Sequence, residues 1–291
     1  MFDVTRSFYK SSPSYGGMLY AWFPSMHTRT DIILCGKQTK KELLLVVDAI
    51  YERLSYIEKL GNCYDADSEL ARLNRVAALR PQPVSCELYD MLAFCMDCHT
   101  RTDGFFDITV HSENYTPSTI SGIQLSSEAH TLFFQHSGIN INLSGFLKGY
   151  ALESIRELLQ LYGIEDALVN MGNSSILALG HHPLATGWRI GFEQGFVSNK
   201  GEKQEVLLKN ECLTVSGNDS LERKHIIAPY SGKLIEGKWM VAVVTESGAV
   251  GEILSTAWFA ADTQFGSRYL FGTGCNYLAE CIGEWGSDFC V

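Results

Sequence analysis

The sequence has no run that approaches 18 apolar residues, so nothing in it reads as a helical membrane span. Basic residues are not in excess. Lys and Arg number 23 against 33 Asp and Glu, a formal charge of −10. That balance argues against a nucleic-acid partner, because neutralising phosphates needs clustered Lys and Arg. Internal repeats, Pro/Gly/Ser linkers and weakly hydrophobic, highly charged stretches are all missing, which excludes a solenoid and extended disorder. The nine cysteines are odd in number and scattered, so a complete disulfide framework is not expected. The opening MFDVTRSFYKSSPSYGG has neither an apolar signal core nor a lipobox-like cysteine, which reads as a cytoplasmic chain. What is present is 46% hydrophobic residues over 291 positions, ample for a buried core, with an acidic balance that suits a divalent cation.

The periodicities predict an ordered alternation of elements. Residues 17–36 read as two strands around a short Ser25–Thr28 link. Lys40 to about Leu60 is an amphipathic helix, with Leu43, Val47, Ile50, Leu54 and Ile57 at spacings of three and four. Ser68 to Asn74 reads as a short helix that Asp67 or Ser68 would cap. Cys86 to about Thr102 is another helix, and TLFFQ and ININ read as strands. Gly145 to Tyr162 is a third long helix, with Leu147, Ala151, Ile155 and Leu159 on one face and Gly163 as its stop. From Ile164 to Thr245, short apolar runs between turns predict a mainly antiparallel sheet, closed by a helix from Ala249 to about Thr263.

Three segments place polar residues and glycines where an apolar pattern should continue. In INLSGFLKGYALE (141–153), Ser144-Gly145 opens a helix that carries Lys148 in its first turns. Free N–H groups and the helix dipole make this a candidate anion site, the alternative being a capped helix with a surface lysine. In GEILSTAWFAADT (251–263), Glu252 and Thr256 lie four apart, about 40° from one another on a helix. A carboxylate and a hydroxyl there offer oxygen ligands for Mg²⁺; the alternative is an exposed helix face. In LTVSGNDSLERKHIIAPYSGK (213–233), His225 starts an apolar run after the Ser216-Gly217 turn. It could act as a base or simply be a solvated residue.

These segments together resemble the ApbE family of FAD:protein FMN transferases. The family's motifs occur here in their full order. They are Tyr64-Asp65-Ala66-Asp67-Ser68-Glu69-Leu70 with Asn74 beyond, Asp103-Gly104-Phe105-Phe106-Asp107, Asn142 to Gly149, and Asn170-Met171-Gly172. Ser216-Gly217, His225 to Gly232 and Gly251 to Ala257 follow. One element alone is weak; the complete order, over roughly residues 20–265, is specific.

The resemblance implies an α+β, T-fold-related single domain with mainly antiparallel sheets packed against long helices. It would span 17–270, between an N-terminal extension (1–16) and a C-terminal tail (271–291). The implied activity is Mg²⁺-dependent transfer of FMN from FAD to the threonine of an acceptor flavoprotein, with release of AMP. The implied FAD contacts are Met26, Tyr64, Phe105, Phe106, Asp107, Asn142 and Lys148. The implied metal ligands are the Gly145 carbonyl, Glu252 and Thr256, with Ser255 beside them, and His225 is the implied base.

The chain departs from the family pattern at several of these positions. Glu252 and Asn142 each stand where an Asp is usual, Ala228 where an acid follows the His-Ile-Ile, Val215 where Thr is usual, and Asn173-Ser174 where Gly-Asp is usual. An alternative reading keeps the fold and FAD binding with FAD hydrolysis, or with no catalysis at all. A remote alternative is haem attachment through Cys95-Met96-Asp97-Cys98-His99, which fits C-x-x-C-H.

Overall fold

Strict alternation of inward and outward side chains makes Gly16–Ser25 (β2) and Thr28–Gly36 (β3) a hairpin, with Leu19, Ala21, Phe23, Ile32 and Leu34 all turned to one face and buried. Ser25 pairs with Thr28, so only Met26 and His27 turn the chain, both at positive φ (48° and 57°). The computed structural model describes residues 6–13, 15–191, 205–218, 225–236, 240–261 and 276–278. Arg6–Ser12 (β1) pairs with β2 on the hairpin's outer side.

Lys40–Gly61 (α1) begins in a capping box: Thr39 Oγ1 accepts from the Glu42 amide, and the Glu42 carboxylate accepts from the Thr39 amide at 2.7 Å. Glu69–Val76 (α2) is capped by Ser68, whose hydroxyl accepts from the Ala71 amide. Gln82–Pro83 (β4), Ile123–Ser126 (β5) and Thr131–Phe134 (β6) form a small sheet in the order β4-β6-β5. Cys86–Arg101 (α3) separates β4 from β5 in the chain, and Leu147–Leu161 (α4) follows β6.

The second half is strand-rich as the turn spacing predicts. It comprises Asp166–Met171 (β7), Ser175–Leu179 (β8), Trp188–Gly191 (β9), Glu205–Leu208 (β10) and Glu211–Gly217 (β11). Ile227–Ala228 (β12), Lys233–Leu234 (β13), Met240–Thr245 (β14), the helix Gly248–Ala261 (α5) and Asn276–Leu278 (β15) complete it. The main sheet runs β1-β2-β3-β7-β8-β11-β14-β15, antiparallel at every pairing. It therefore takes in strands on both sides of the 17–270 span.

One face of this sheet packs on α1 and α4 in a single large core that includes Ile50, Leu54, Ile155 and Leu159. On the other face, the β9–β10 ribbon lays Trp188 and Leu208 over Ile176, Ala178 and Leu213. Helices α4 and α5 touch backbone to backbone. A Cβ on Gly149 would overlap the Gly248 carbonyl and lie 2.7 Å from Glu252 Cγ, so only glycine allows this crossing. Among the described residues no helix is long and apolar enough to cross a membrane.

ININ (139–142) is not a strand. Its backbone is satisfied piecemeal instead: Asn74 accepts from the Ile141 amide at 2.9 Å and donates to the Ile141 carbonyl at 2.8 Å, Ser112 Oγ accepts from the Asn140 amide, and the Asn142 amide donates to the Ile108 carbonyl. An amide side chain matching a peptide edge removes the need for a neighbouring strand. The helix expected to run to Thr263 is described to Ala261; residues 262 and 263 lie outside the described residues.

Candidate active site

Two turns, the end of β11 and two helices meet at one end of the main sheet. The β2–β3 turn lies against the β7–β8 turn: the Gly172 amide donates to the Arg29 carbonyl at 3.0 Å, and a Cβ on Gly172, which has φ 65°, would overlap the Thr28 hydroxyl. Ser174 and Ser175, just past that turn, face α4 and α5. Lys148 Nζ donates to Ser174 Oγ, and Ser175 Oγ donates to Glu252 Oε1. Glu252 is 3% exposed, and Lys148 Nζ stands 3.9 Å from its Oε1. A carboxylate so deeply buried needs such partners, because desolvation otherwise penalises its charge.

One turn along α5, three hydroxyls meet. Ser216 Oγ lies 2.8 Å from Ser255 Oγ and 3.2 Å from Thr256 Oγ1, while Ser255 also donates to the Glu252 carbonyl. Ser255 is fully buried and Thr256 only partly. Gly145 sits directly across, where a Cβ would be 3.4 Å from Thr256 Oγ1. The structure therefore brings Gly145, Lys148, Glu252, Ser255 and Thr256 together. Among the described residues no three His, Cys, Asp or Glu side chains cluster as a metal site. A single carboxylate with hydroxyl and carbonyl oxygens is a hard donor set. It suits Mg²⁺, which keeps waters or phosphate oxygens in its remaining positions, and does not suit zinc.

A cavity of about 400 Å³ adjoins this cluster, lined by Met26, His27, Asn62, Tyr64, Leu147 and Lys148 among others. Tyr64 is 68% exposed, a flat ring at the rim, and its hydroxyl accepts from Asn142 Nδ2 at 2.9 Å. The oxygen of that amide, Asn142 Oδ1, accepts from the Ser144 amide and shapes the entry to α4. Phe146, at the N-cap of α4, supplies no capping side chain, so early amides of the helix have no side-chain acceptor there.

The Phe105–Asp107 segment occupies different surroundings. Phe106 is 3% exposed and backs Gly145, its ring 3.7 Å from where a Cβ there would lie. Asp107 Oδ1 accepts from the Thr109 amide and hydroxyl, and Oδ2 from Tyr115 at 2.9 Å. Burial, and then the Asp107 charge, push the Tyr115 phenol above its ordinary value. Phe105 is half-buried and packs edge-on to Tyr230, 6.4 Å between ring centres.

His225 is exposed, and no hydrogen bond between it and Glu252 or Thr256 is present among the described residues; the neighbouring segment is tied toward Ser216 by backbone and amide bonds. Asn218, two residues past Ser216, donates to the Ile235 carbonyl at 3.0 Å, and the Ile235 amide donates to the Ile226 carbonyl at 2.9 Å. Ser174, Ser175 and Ser216 belong to the cluster although none was expected to have a role in the site: Ser216 and Ser174 lie in motif segments, and Ser175 lies in none, since an isolated serine carries no periodic signal. The C-x-x-C-H stretch offers nothing to a haem. Cys95 and Cys98 are both fully buried in the core with thiols pushed up by burial, and His99 Nδ1 bonds to the Phe106 carbonyl at 2.9 Å.

Residues 26–276 match the model of the ApbE family. The chain belongs to the ApbE family. Its similarity to individual relatives is low in identity and long in extent. It is 24% identical over 250 residues to an FAD:protein FMN transferase of Vibrio cholerae, covering 76% of this chain and 74% of that one. It is 25% identical over 257 residues to an FAD:protein FMN transferase of Chlamydia muridarum, covering 76% and 75%. Among solved structures, the flavin transferase ApbE from Vibrio cholerae superposes with a TM-score of 0.71 at 20% identity, over 87% of this chain and 86% of that one. An ApbE protein from Thermotoga maritima superposes with a TM-score of 0.72 at 21% identity, over 85% and 88%. The ApbE fold is thus present over most of the chain, and the cluster just described lies where the α4–α5 crossing meets the end of the main sheet.

Proposed function

We propose that this chain is an Mg²⁺-dependent FAD:protein FMN transferase. The observation that carries the reading is the convergence of Lys148, Glu252 and Thr256 beside the Met26–Tyr64 cavity, in a member of the ApbE family. Met26, Tyr64 and Phe105 hold FAD, with Asn142 fixing Tyr64 and with Phe106 and Asp107 supporting the segment from behind. Lys148 holds the pyrophosphate. The Gly145 carbonyl, Glu252 and Thr256, with Ser255 behind them, would hold Mg²⁺, which supplies charge neutralisation on the pyrophosphate.

In the reaction the acceptor threonine Oγ forms a bond to the FMN phosphorus, and the bond from that phosphorus to the AMP oxygen breaks. AMP leaves with that electron pair, and the hydroxyl proton passes to His225. There is little covalent chemistry for the protein to perform, so positioning and charge stabilisation carry the rate. The exposure of His225 favours a second reading, in which water takes the place of threonine and FAD is hydrolysed to FMN and AMP. Incubation with FAD, Mg²⁺ and a threonine-bearing flavoprotein, followed by in-gel flavin fluorescence, tests the proposal. A fluorescent acceptor band is expected. FMN and AMP in solution without that band would establish hydrolysis in its place.

A further inference from the structure

His27 lies between Met26 and Thr28 and the sequence assigns it no role, yet its backbone and side chain are both held in an unusual way. It occupies the left-handed region at φ 57° inside a two-residue hairpin turn, next to Met26 at φ 48°. Such turns favour Asn-Gly, because left-handed backbone disfavours side chains with a bulky Cβ substituent. Strain of this kind persists where the surroundings enforce it, and it clusters at ligand sites. The imidazole lines the 400 Å³ cavity beside Tyr64 and Lys148.

The hydrogen bonds around Asn62 decide the state of that imidazole. Asn62 Oδ1 accepts from the Tyr64 amide at 3.0 Å, which orients the side-chain amide with its Nδ2 toward His27 Nε2, 3.1 Å away. An NH₂ group only donates, so Nε2 must accept. The ring is then neutral, with its proton on Nδ1. Asn62 is itself fixed, as the cap of α1: its amide donates to the Glu58 carbonyl, and its carbonyl accepts from Ser68 Oγ at 2.6 Å and from the Asp65 amide.

We infer that His27 is a specificity-determining residue of the FAD site, presenting a fixed Nδ1–H donor to an acceptor atom on the edge of one of the two heteroaromatic rings of FAD. The inference rests on the proposed function. Both the isoalloxazine and the adenine carry ring-edge acceptors, and Met26 and Leu147 supply the apolar contact that either ring needs. The ammonium of Lys148 on the same wall suits the adjoining phosphates.

Calorimetric titration of wild type and His27→Gly with FAD, FMN and AMP in Mg²⁺ tests this. Glycine is the residue best suited to φ 57°, so the variant should fold with an unchanged or higher Tm. FAD affinity should fall about tenfold, the worth of one hydrogen bond. Either FMN or AMP, but not both, should show the same loss, and that pattern identifies the ring. Unchanged FAD affinity, or equal losses for FMN and AMP, overturns the inference while leaving the transferase reading intact. Wild type that fails to bind FAD overturns both. Imidazole ¹⁵N NMR of the wild type is an arm that requires no variant: the Nδ1–H tautomer is expected at His27, and Nε2–H overturns the assignment.

Discussion

Lys148 Nζ and Glu252 Oε1 stand 3.9 Å apart, one at the start of α4 and the other inside α5, with their backbones brought together by the Gly149–Gly248 contact. The pair sets a constraint on the candidate site. The buried carboxylate of this cluster, Glu252, already faces an ammonium, and the hydroxyl of Ser175 also donates to it. On the proposed function Glu252 would exchange Lys148 for the metal and Lys148 would be free to hold the phosphates, so a divalent cation and a pyrophosphate would be taken up together. FAD should bind more tightly in Mg²⁺ than in EDTA. Equal affinities by calorimetry would remove Mg²⁺ from the site.

Removing the carboxylate tests the same relationship from the other side. Glu252→Ala should abolish the Mg²⁺ dependence of FAD binding and any metal-dependent turnover. It also leaves Lys148 without its charge partner, at a cost of about 1–3 kcal/mol, less than for a fully buried pair because the lysine is partly exposed and keeps Ser174. Glu252→Asp shortens the side chain by one methylene and should retain the dependence. Thermal unfolding and FAD titration check both variants, and a Mg²⁺ effect that survives in Glu252→Ala means that residue 252 is no ligand.

The α4–α5 crossing yields a stability prediction with an internal control. Gly149→Ala places a methyl group into the Gly248 carbonyl and against Glu252 Cγ, so the helices must separate. Backbone cannot yield as a flexible side chain can, and the cost should be about 3 kcal/mol or more. At Gly163, with φ 66° and open space around the Cβ position, Ala should cost only about 1 kcal/mol from the left-handed backbone. Denaturant unfolding midpoints compare the two. Equal losses would mean that the crossing is looser than its geometry implies.

How far the sequence foretold this arrangement depends on the reach of each signal. The helix over 40–61 and the hairpin over 16–36 were legible because their burial repeats with the period of their own backbone. Ser68 was legible as a cap because capping is local. Glu252 and Thr256 could be placed on one helix face for the same reason. The partners of Glu252 could not be read, because Ser175 and Lys148 reach it through sheet order and a glycine-mediated crossing that no local pattern encodes. ININ was misread because an apolar alternation resembles a strand, whereas its neighbour is the side chain of Asn74, far away in the sequence. The motif order identified the family, and the tertiary contacts separate Phe105, half-exposed beside Tyr230, from Phe106 and Asp107 behind it.

A polar clamp among α1, α3 and α4 predicts the direction of acid sensitivity. Glu87 accepts from Arg53 at 3.0 Å and from Tyr150 at 2.8 Å. Burial raises its pKa, but the Arg53 and Tyr150 hydrogen bonds and the Arg53 charge outweigh burial, and the folded-state value lies below the ordinary 4.5. A depressed carboxylate contributes stability that is full above its unfolded value and is lost as pH falls through its folded value. Unfolding free energy should therefore decline from about pH 5 downward. Glu87→Gln should flatten that decline, and an unaltered slope in the variant would assign the acid sensitivity to other groups.

The last prediction separates transfer from hydrolysis, and it turns on His225. In-line attack by a threonine hydroxyl needs a proton acceptor within hydrogen-bond reach at the moment of reaction, and imidazole is suited to that task near neutral pH. The ring is exposed here, two residues before the small β12–β13 hairpin, and residue 228, where the family pattern carries an acid, is a buried alanine. No carboxylate at that position orients the ring. On the proposed function Lys148 would hold the pyrophosphate and Glu252 and Thr256 the metal without His225, so His225→Asn and His225→Ala should bind FAD with wild-type affinity. FMN transfer to a threonine acceptor should fall roughly 10²-fold or more, the lower part of what general-base catalysis contributes. FAD hydrolysis without acceptor should fall much less, because water reaches the phosphorus with no need for a docked partner. Transfer and hydrolysis measured side by side at fixed FAD and Mg²⁺ decide the matter. A transfer rate equal to wild type in both variants would leave His225 as a solvated residue and require another base.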